Sequence, residues 1–121
     1  MANPNISSSG SIYGRTIGGG LTTASAVVVP AVTTSHIYKV NSIIVSNVSG
    51  SSAADVTVTW YDASVGVTYY LAYIITVPAK STLVVLSKDS QIYLEESDYI
   101  SALASANSTL QIIVSFEDIY A

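Results

Sequence analysis

Residues 67–86 read VTYYLAYIITVPAKSTLVVL, two apolar runs joined by the residues PAKS at 78–81. β-branched and aromatic residues dominate both runs, and proline and lysine interrupt them, which is typical of two strands and a turn. A strand with one solvated face is polar on that face. Here both faces are largely apolar, so we expect the core to cover one and another subunit to cover the other. The first strand presents on one face Tyr69, Leu71, Tyr73, Ile75 and Val77, and on the other Tyr70, Ala72, Ile74 and Thr76.

The composition indicates one domain of 121 residues, of which half are hydrophobic and 10% are charged. An average soluble domain is about 25% charged, so few charges keep this surface in solution. Two explanations account for the low charge: polar uncharged residues keep the protein in solution, and much of its surface is buried in an assembly. We expect both to apply. A chain of this length buries roughly two-thirds of its unfolded surface and forms a core without cross-links.

The charge and cysteine counts exclude several classes of function. The net charge is −4 with only four Lys and Arg residues, so no basic patch for nucleic acid is expected. The absence of cysteine excludes disulfides and thiolate metal sites. No apolar run approaches the roughly 18 residues of a membrane helix, and the first ten residues lack a signal-peptide pattern. We therefore expect neither a nucleic-acid partner nor a membrane partner.

Strand patterns follow one another from residue 21 onward, separated by turn-forming residues at intervals of roughly 8–12 residues. This spacing, without a helical period, is typical of an all-β fold. We predict an antiparallel β-sandwich, as a jelly-roll or Ig-like variant, with an extended N-terminal arm. Trp60 is expected in the core because it alternates onto the face of Val56 and Val58. The predicted strands cover residues 22–29, 38–48, 56–61, 67–77, 82–86, 92–94, 99–105 and 110–120.

Residues 1–20 differ from the rest of the chain because serine and glycine runs flank a short patterned piece. Such runs leave the backbone loose. Two interpretations stay open: a frayed terminus, or an arm that orders against a neighbouring subunit and is anchored by Ile12, Tyr13 and Ile17. We divide the chain into a flexible N-terminal arm, residues 1–20, and a β-sandwich domain, residues 21–121.

The residues that could carry chemistry are few. His36 is the single histidine and is expected in a loop, because a lone histidine without cysteine is a poor metal ligand set and a poor catalytic base. No nucleotide-binding or nucleophile-elbow motif is present. We expect no catalytic, cofactor-binding or metal-binding residues and no cofactor. A calcium site stays open beside the simpler interpretation of a solvated turn for the acidic cluster Asp89, Glu95, Glu96 and Asp98.

The nine tyrosines are the most distinctive polar-aromatic feature of the chain. Tyrosine suits strands and protein interfaces, and its ring also stacks on sugars. Strand propensity explains most of these residues, interface use is the second interpretation and sugar binding the third. We predict that contacts with neighbouring subunits involve Ile12, Tyr13, Ile17, Ile44, Tyr70, Ile74 and Ile113.

Four segments carry a resemblance to a known family: YKVNSIIVSN at 38–47, VPAKSTLVV at 77–85, IYLEESDYI at 92–100 and VSFEDI at 114–119. From residue 38 onward the chain resembles small β-sandwich virion structural proteins of tailed bacteriophages, of the marine and cyanobacterial phage type. The opening MANPNI and the arm that follows are similar in style. The resemblance implies a decoration, cement, neck or tail accessory protein and transfers no catalytic residue.

The sequence therefore predicts a non-enzymatic phage virion protein. The first hypothesis is a capsid decoration or cement subunit, a homo-oligomer that binds the major capsid protein or neck and tail proteins in the particle after assembly in the host cytoplasm. A neck, tail or baseplate accessory is the nearest alternative. A carbohydrate-binding or adhesin module is the alternative from another class: tyrosines at loop tips favour it, whereas tyrosines along strand faces favour assembly.

Overall fold

A computed structural model describes residues 10–120 of the protein. Within this range the chain forms nine strands and no α-helix, and one short 3₁₀ turn, Lys88–Ser90, precedes the seventh strand. The strands are β1 (Ser11–Gly20), β2 (Ala26–Val29), β3 (His36–Asn47), β4 (Ala54–Asp62), β5 (Val67–Val77), β6 (Thr82–Leu86), β7 (Ile92–Leu94), β8 (Tyr99–Ala104) and β9 (Leu110–Tyr120).

The strands form two antiparallel sheets, which confirms the predicted β-sandwich. Sheet A has the order β1-β9-β3-β6, with β7 also paired to β3, and sheet B has the order β2-β8-β4-β5. The pairs are nested: β4 with β5, β3 with β6 and β7, β2 with β8, and β1 with β9. The chain is thus one long hairpin rolled into two layers, which is the jelly-roll variant of the sandwich.

The core lies between the two sheets and is built from alternate residues of their inner faces. In β9 the buried face consists of Leu110, Ile112, Val114 and Phe116, which alternate with more polar residues along the strand. Sheet B contributes the small and β-branched side chains of β4 and β8. The fully buried side chains with the largest volumes include Ile43, Val45, Leu94, Ile100, Leu110, Ile112 and Val114.

A β-bulge explains why neither face of β3 is uniformly apolar in sequence. The register between β3 and β9 shifts between Val40 and Ser42, which leaves Asn41 as the extra residue. An extra residue reverses the alternation of faces. Val40 on one side of the bulge and Ile43 on the other are therefore both fully buried, although their sequence numbers have opposite parity.

Residues 11–20 differ from the expected arm, because they form the edge strand β1 of sheet A. β1 pairs with β9 from Ser11 opposite Tyr120 to Gly20 opposite Gln111, and the side chain of Ile17 packs against the core. The backbone hydrogen bonds of this ladder offset the conformational entropy that the glycines lose. The sandwich therefore begins before residue 21. Residues 1–9 of the expected arm lie outside the described residues.

Trp60 lies at the margin of the core rather than inside it. Its ring is half-buried against the core and stacks on Tyr69, with ring centroids 5.4 Å apart. The indole Nε1–H donates a hydrogen bond to Oδ2 of Asp98, at 3.3 Å. Facing inward was predicted correctly, but the position near the end of β4 leaves one side of the ring open.

Candidate functional site

Strand β5 carries the densest group of exposed apolar side chains in the described residues. It is one of the two edge strands of sheet B, and Val77 is its one buried residue. Tyr70 is 60% exposed and Ile74 53%, so both predicted contact residues of this strand lie at the surface. The other exposed large side chains of β5 are Val67, Tyr69, Tyr73 and Ile75.

Two register shifts break the alternation of β5 against β4. They lie between Val56 and Val58 and between Val58 and Thr59 on the β4 side, and each places an extra residue in β5. Ile74 lies in the first bulge with φ of 51°, a left-handed conformation that β-branched residues avoid. Its backbone N–H donates to Oγ1 of Thr57 at 3.2 Å. The bulges direct Tyr73 and Ile74 toward the outer face of sheet B.

A trough runs along the outer face of sheet B, with a volume of about 430 Å³. We define its floor as Thr57, Thr59 and Ser101 and its wall as Tyr70, Tyr73 and Ile74. The rings of Tyr70 and Tyr73 pack edge to face, 4.7 Å apart. No charged side chain lines the trough; the remaining lining residues are Ser25, Thr68, Tyr99 and Leu103.

The hydroxyl groups of two floor residues are already hydrogen-bonded to the backbone of the same sheet. Oγ1 of Thr57 accepts the N–H of Ile74, and Oγ1 of Thr59 donates to the carbonyl oxygen of Ser101 at 3.4 Å. Thr57 and Ser101 are 7% and 8% exposed, so the floor is already largely out of contact with water. Covering the trough therefore leaves neither of these two threonine hydroxyls without a partner.

A second depression, of about 340 Å³, lies between β5 and β7, beside Trp60 of β4. It is lined by Trp60, Tyr69, Tyr70, Leu71, Ile92 and Tyr93. The exposed rings of Tyr69 and Tyr93 and the half-buried indole of Trp60 make this opening rich in aromatic surface. All nine tyrosines lie within strands, and none lies at a loop tip.

The other predicted contact residues lie on sheet A. Ile44 stands between Val84 and Ile113 in one row across three strands, on the outer face of the sheet. Val84 is 56% exposed and Ile113 38%. The β1 residues divide: Ile12 and Tyr13 are about half exposed, whereas Ile17 packs against the core. The structure thus separates the seven predicted contact residues into two groups on opposite sheets.

His36 is the first residue of β3 and not a loop residue, which corrects the sequence interpretation. Its Nδ1 lies 2.6 Å from Oδ1 of Asp118, and its ring stacks on Tyr120 with centroids 4.3 Å apart. Asp118 is 4% exposed, and its second oxygen lies 3.7 Å from the guanidinium of Arg15. These contacts join β1, β3 and β9 in sheet A. Both carboxylate oxygens of Asp118 are engaged by them, so the residue has a structural role.

The pKa values of two tyrosines near this pair are raised. Burial raises the pKa of Tyr38, the negative charge of Asp118 raises it further, and Arg15 partly opposes both. A hydrogen bond with Tyr13 is the main cause of the raised pKa of Tyr120. Sequence reasoning missed Asp118, although it continues the inward alternation of β9 and so was a candidate for a buried carboxylate.

The acidic cluster does not converge on a metal site. Among residues 10–120 no three His, Asp or Glu side chains are grouped in a way that could hold a metal ion. Asp98 is 1% exposed and accepts hydrogen bonds from Trp60, from the N–H of Ala63 and from the N–H of Glu95. Its carboxylate fastens two turns and an indole, which argues against calcium.

Comparisons with known proteins identify a shared fold. No protein-family model and no curated protein sequence matches the chain. A solved structure described as "Bacillus endospore appendages form a novel family of disulfide-linked pili" has 15% identity and a TM-score of 0.54, covering 92% of this chain and 88% of that one. At this identity the likeness shows the fold alone.

A cyanophage Pam1 capsid asymmetric unit contains a chain with 16% identity and a TM-score of 0.40, covering 100% of this chain and 93% of that one. This score is too low to indicate a shared fold. In the described part of the chain no helix has the length and apolarity that crossing a membrane requires.

Proposed function

We propose that the protein is a non-enzymatic structural subunit of a tailed bacteriophage particle, most specifically a capsid decoration or cement protein. The observation that carries the proposal is the exposed apolar edge of sheet B, where a single strand presents six large hydrophobic side chains to solvent. Monomeric soluble proteins rarely expose contiguous apolar patches of this kind unless they bind a partner there. The resemblance of residues 38–119 to virion proteins supports the identity of the assembly.

The chemistry of the surface fits association by burial of area. The chain has four Lys and Arg residues and eight Asp and Glu residues, so few strong charge pairs can form with neighbours. It contains no cysteine, so it cannot form the disulfide links named for the Bacillus pili. The partners would be the major capsid protein, or neck or tail proteins. Contacts with them would depend on the apolar strand faces, of which that of sheet B is rich in tyrosine, and on the N-terminal segment.

Mass spectrometry and electron microscopy of purified particles test this function. We expect the chain to co-sediment with intact phage particles in a density gradient, at a fixed ratio to the major capsid protein, and a map to place it on the shell. Density at the neck or tail would instead establish the accessory alternative. Absence of the chain from particles of the phage that encodes it would contradict both.

Substitutions on β5 test the proposed contact surface. We expect Tyr70→Ser and Ile74→Ser each to reduce incorporation into particles about tenfold or more if these side chains anchor the interface, because the few anchoring side chains of an interface contribute about 2 kcal/mol or more and about 1.4 kcal/mol corresponds to tenfold. Both side chains are more than half exposed, so the urea midpoint of the isolated domain should change little. If either variant unfolds while the wild type is a stable monomer, the side chain belongs to the fold and not to an interface.

The aromatic opening around Trp60, Tyr69 and Tyr93 favours a second candidate, a carbohydrate-binding module. An aromatic side chain can stack on the face of a sugar ring. This opening is almost entirely apolar, however, and offers few polar groups that could orient the hydroxyls of a sugar. Binding of the isolated domain to a glycan array, lost in Tyr93→Ser, would support this candidate. The placement of all nine tyrosines on strands rather than loop tips favours assembly.

A further inference from the structure

We infer that the outer face of sheet B is a two-fold interface with a second copy of this chain, in which the wall of each copy packs into the trough of the other. The inference rests on the proposed function and specifies one of its contacts. It follows from the shape of the trough, from its chemistry and from the area of the sheet.

The shape is self-complementary because of the order of one row of residues. Val27 lies opposite Ser101, Ser101 opposite Thr59, and Thr59 opposite Tyr70, across β2, β8, β4 and β5. Val27 and Tyr70 are 56% and 60% exposed, whereas Ser101 is 8% exposed. The row is therefore high at its two edges and low between them.

The register of this row fixes where a two-fold axis can lie. Neighbouring strands are about 4.8 Å apart, so Tyr70 and Ser101 lie at equal distances on either side of Thr59. An axis parallel to β4 and passing over Thr59 exchanges these two positions. Tyr70 of each copy then stands over Ser101 of the partner copy, and Thr59 faces Thr59 of the partner copy.

The chemistry of the trough favours an uncharged occupant. No charged residue lines it, and the hydroxyls of Thr57 and Thr59 are hydrogen-bonded to the backbone of their own sheet. A charged ligand would lose hydration without gaining a partner of opposite charge. Tyr70, Tyr73 and Ile74 of a second copy supply the apolar protrusion that the trough fits.

The bulges of β5 favour face-to-face packing over the extension of one sheet by another. Two register shifts within eleven residues interrupt the free edge of β5, and such bulges hinder pairing with an added strand. They also raise the wall above the face. Ile74 holds its strained φ of 51° while its side chain remains 53% exposed, a cost that an apolar contact across the interface would offset.

The area of the face is sufficient for a weak dimer. About this axis β5, β4 and β8 of the two copies overlap. Three strands of six to eleven residues give a face of about 400 Å² in projection, and its accessible area is larger because side chains protrude. Specific interfaces begin at about 600 Å² of accessible area per partner, and interfaces near this lower limit are typically weak. We therefore expect a dimer with a Kd in about the micromolar range or weaker.

Ile74→Gly is the most informative variant because glycine adopts a positive φ without strain. It removes an interface side chain while leaving the monomer as stable as the wild type or more so. Sedimentation velocity across a concentration series should show the Kd of the dimer rising about tenfold or more. Val84→Ser is the matched control: Val84 is 56% exposed on the outer face of sheet A and should leave the Kd unchanged.

Charge substitution at the proposed axis tests the symmetry itself. In Thr59→Asp and in Thr59→Lys, like charges would meet across the axis, so each variant alone should be monomeric. Mixing the two should restore a dimer, because opposite charges then face each other. Circular dichroism of each variant before mixing shows whether the fold is retained.

Three results on dimer formation would overturn the inference. They are a wild type that stays monomeric up to about 100 µM, a dimer that Val84→Ser weakens and Ile74→Gly does not, and variants at Thr59 that keep the fold but do not dimerise on mixing. None of these removes the chain from the particle, so the proposed function stands or falls by the particle experiment. Loss of glycan binding in Ile74→Gly would identify a sugar as the occupant and would also overturn the inference.

Discussion

Asp98 shows how one buried carboxylate fixes the geometry near an opening of the sandwich. It is 1% exposed, and its two oxygens accept hydrogen bonds from Trp60, from the N–H of Ala63 at 2.9 Å and from the N–H of Glu95 at 3.0 Å. The donors belong to two segments of the chain, residues 60–63 and the turn that begins at Glu95, so a single side chain joins the two. The aromatic opening beside Trp60 owes its shape to this residue.

We expect Asp98→Ala to lower the free energy of unfolding by about 3 kcal/mol, because it leaves three donors without their acceptor. Urea denaturation measures the change. Asp62→Ala is the matched control: Oδ1 of Asp62 accepts bonds from Ser64 at the surface, and its loss should cost less than about 1 kcal/mol. Equal effects of the two substitutions would show that Asp98 is not a structural centre.

Tyr38 gives the domain a dependence of stability on alkaline pH. Burial and the charge of Asp118 raise its pKa in the folded state, whereas in the unfolded chain it titrates near pH 10. A raised folded pKa contributes stability that is complete below pH 10 and is lost as the pH rises through the folded pKa. We therefore expect the stability of the wild type to fall above about pH 10.

Tyr38→Phe should make that decline shallower, because the substitution removes the phenol and keeps the ring packed on Phe116. Urea denaturation at several pH values between 8 and 11 measures the slopes. Tyr93→Phe serves as the comparison, since Tyr93 is 41% exposed and its removal takes away no buried phenol. A slope unchanged by Tyr38→Phe would contradict the role assigned to burial.

At the scale of elements, β1 shows that a glycine-rich segment can be part of a sheet. With β9 it forms the outermost pair of the rolled hairpin. It is held to β9 along ten residues, and Arg15 near its middle lies 3.7 Å from Asp118. Ile17 adds an apolar contact with the core. If residues 1–20 were a separate arm, none of these contacts would stabilise the sandwich.

Deletion of residues 1–20 distinguishes a strand from an arm. The deletion exposes the edge of β9 and part of the core. We therefore expect it to lower the unfolding free energy by several kcal/mol and to speed the hydrogen exchange of the backbone amides of β9. Ile17→Ser should reproduce part of the loss, and Ile12→Ser, at a position 54% exposed, should reproduce little of it. A truncated domain as stable as the full chain would restore the arm interpretation.

Alternation along the sequence predicted the fold wherever the register is regular. β7 and β9 lie at the residues that the pattern predicted, and the apolar face of β9 is buried in the core. The pattern failed at β-bulges, because an extra residue such as Asn41 reverses the faces without changing the composition. It also failed at β1, where the glycine and serine runs indicated a flexible arm and the pairing with a strand about 100 residues away left no local signal.

The candidate site was predicted in part for the same reason. Tyr70 and Ile74 are exposed, as the interpretation of a covered second face requires. The bulge that turns Tyr73 to the same side as Ile74, and the small residues Thr57 and Ser101 that form the floor, depend on pairing between strands. Such a trough becomes visible only when the register of β4, β5 and β8 is known.

At the scale of the whole molecule, the accessible surface area is that of a typical monomer of this mass, but the surface carries unusually few charged residues. The accessible surface is 6238 Å², close to the roughly 6,200 Å² that scaling gives for a folded monomer of 12.6 kDa. The chain therefore closes a complete core by itself. What sets it apart is that 10% of its residues are charged, while aromatic and β-branched side chains occupy the edge and the outer faces.

Association through such a surface should respond to solvent conditions as apolar burial does. Raising sodium chloride from about 50 to 500 mM shortens the Debye length from about 14 to 4 Å and weakens contacts that depend on charge, yet no charged side chain lines the trough. We expect the association constant from sedimentation equilibrium to change less than about threefold over this range. It should rise between 5 and 30 °C and on addition of ammonium sulfate, because both strengthen the burial of apolar surface. A tenfold loss of association in high salt would instead indicate that the cations of sheet A, such as Arg15 and Lys39, carry the contact.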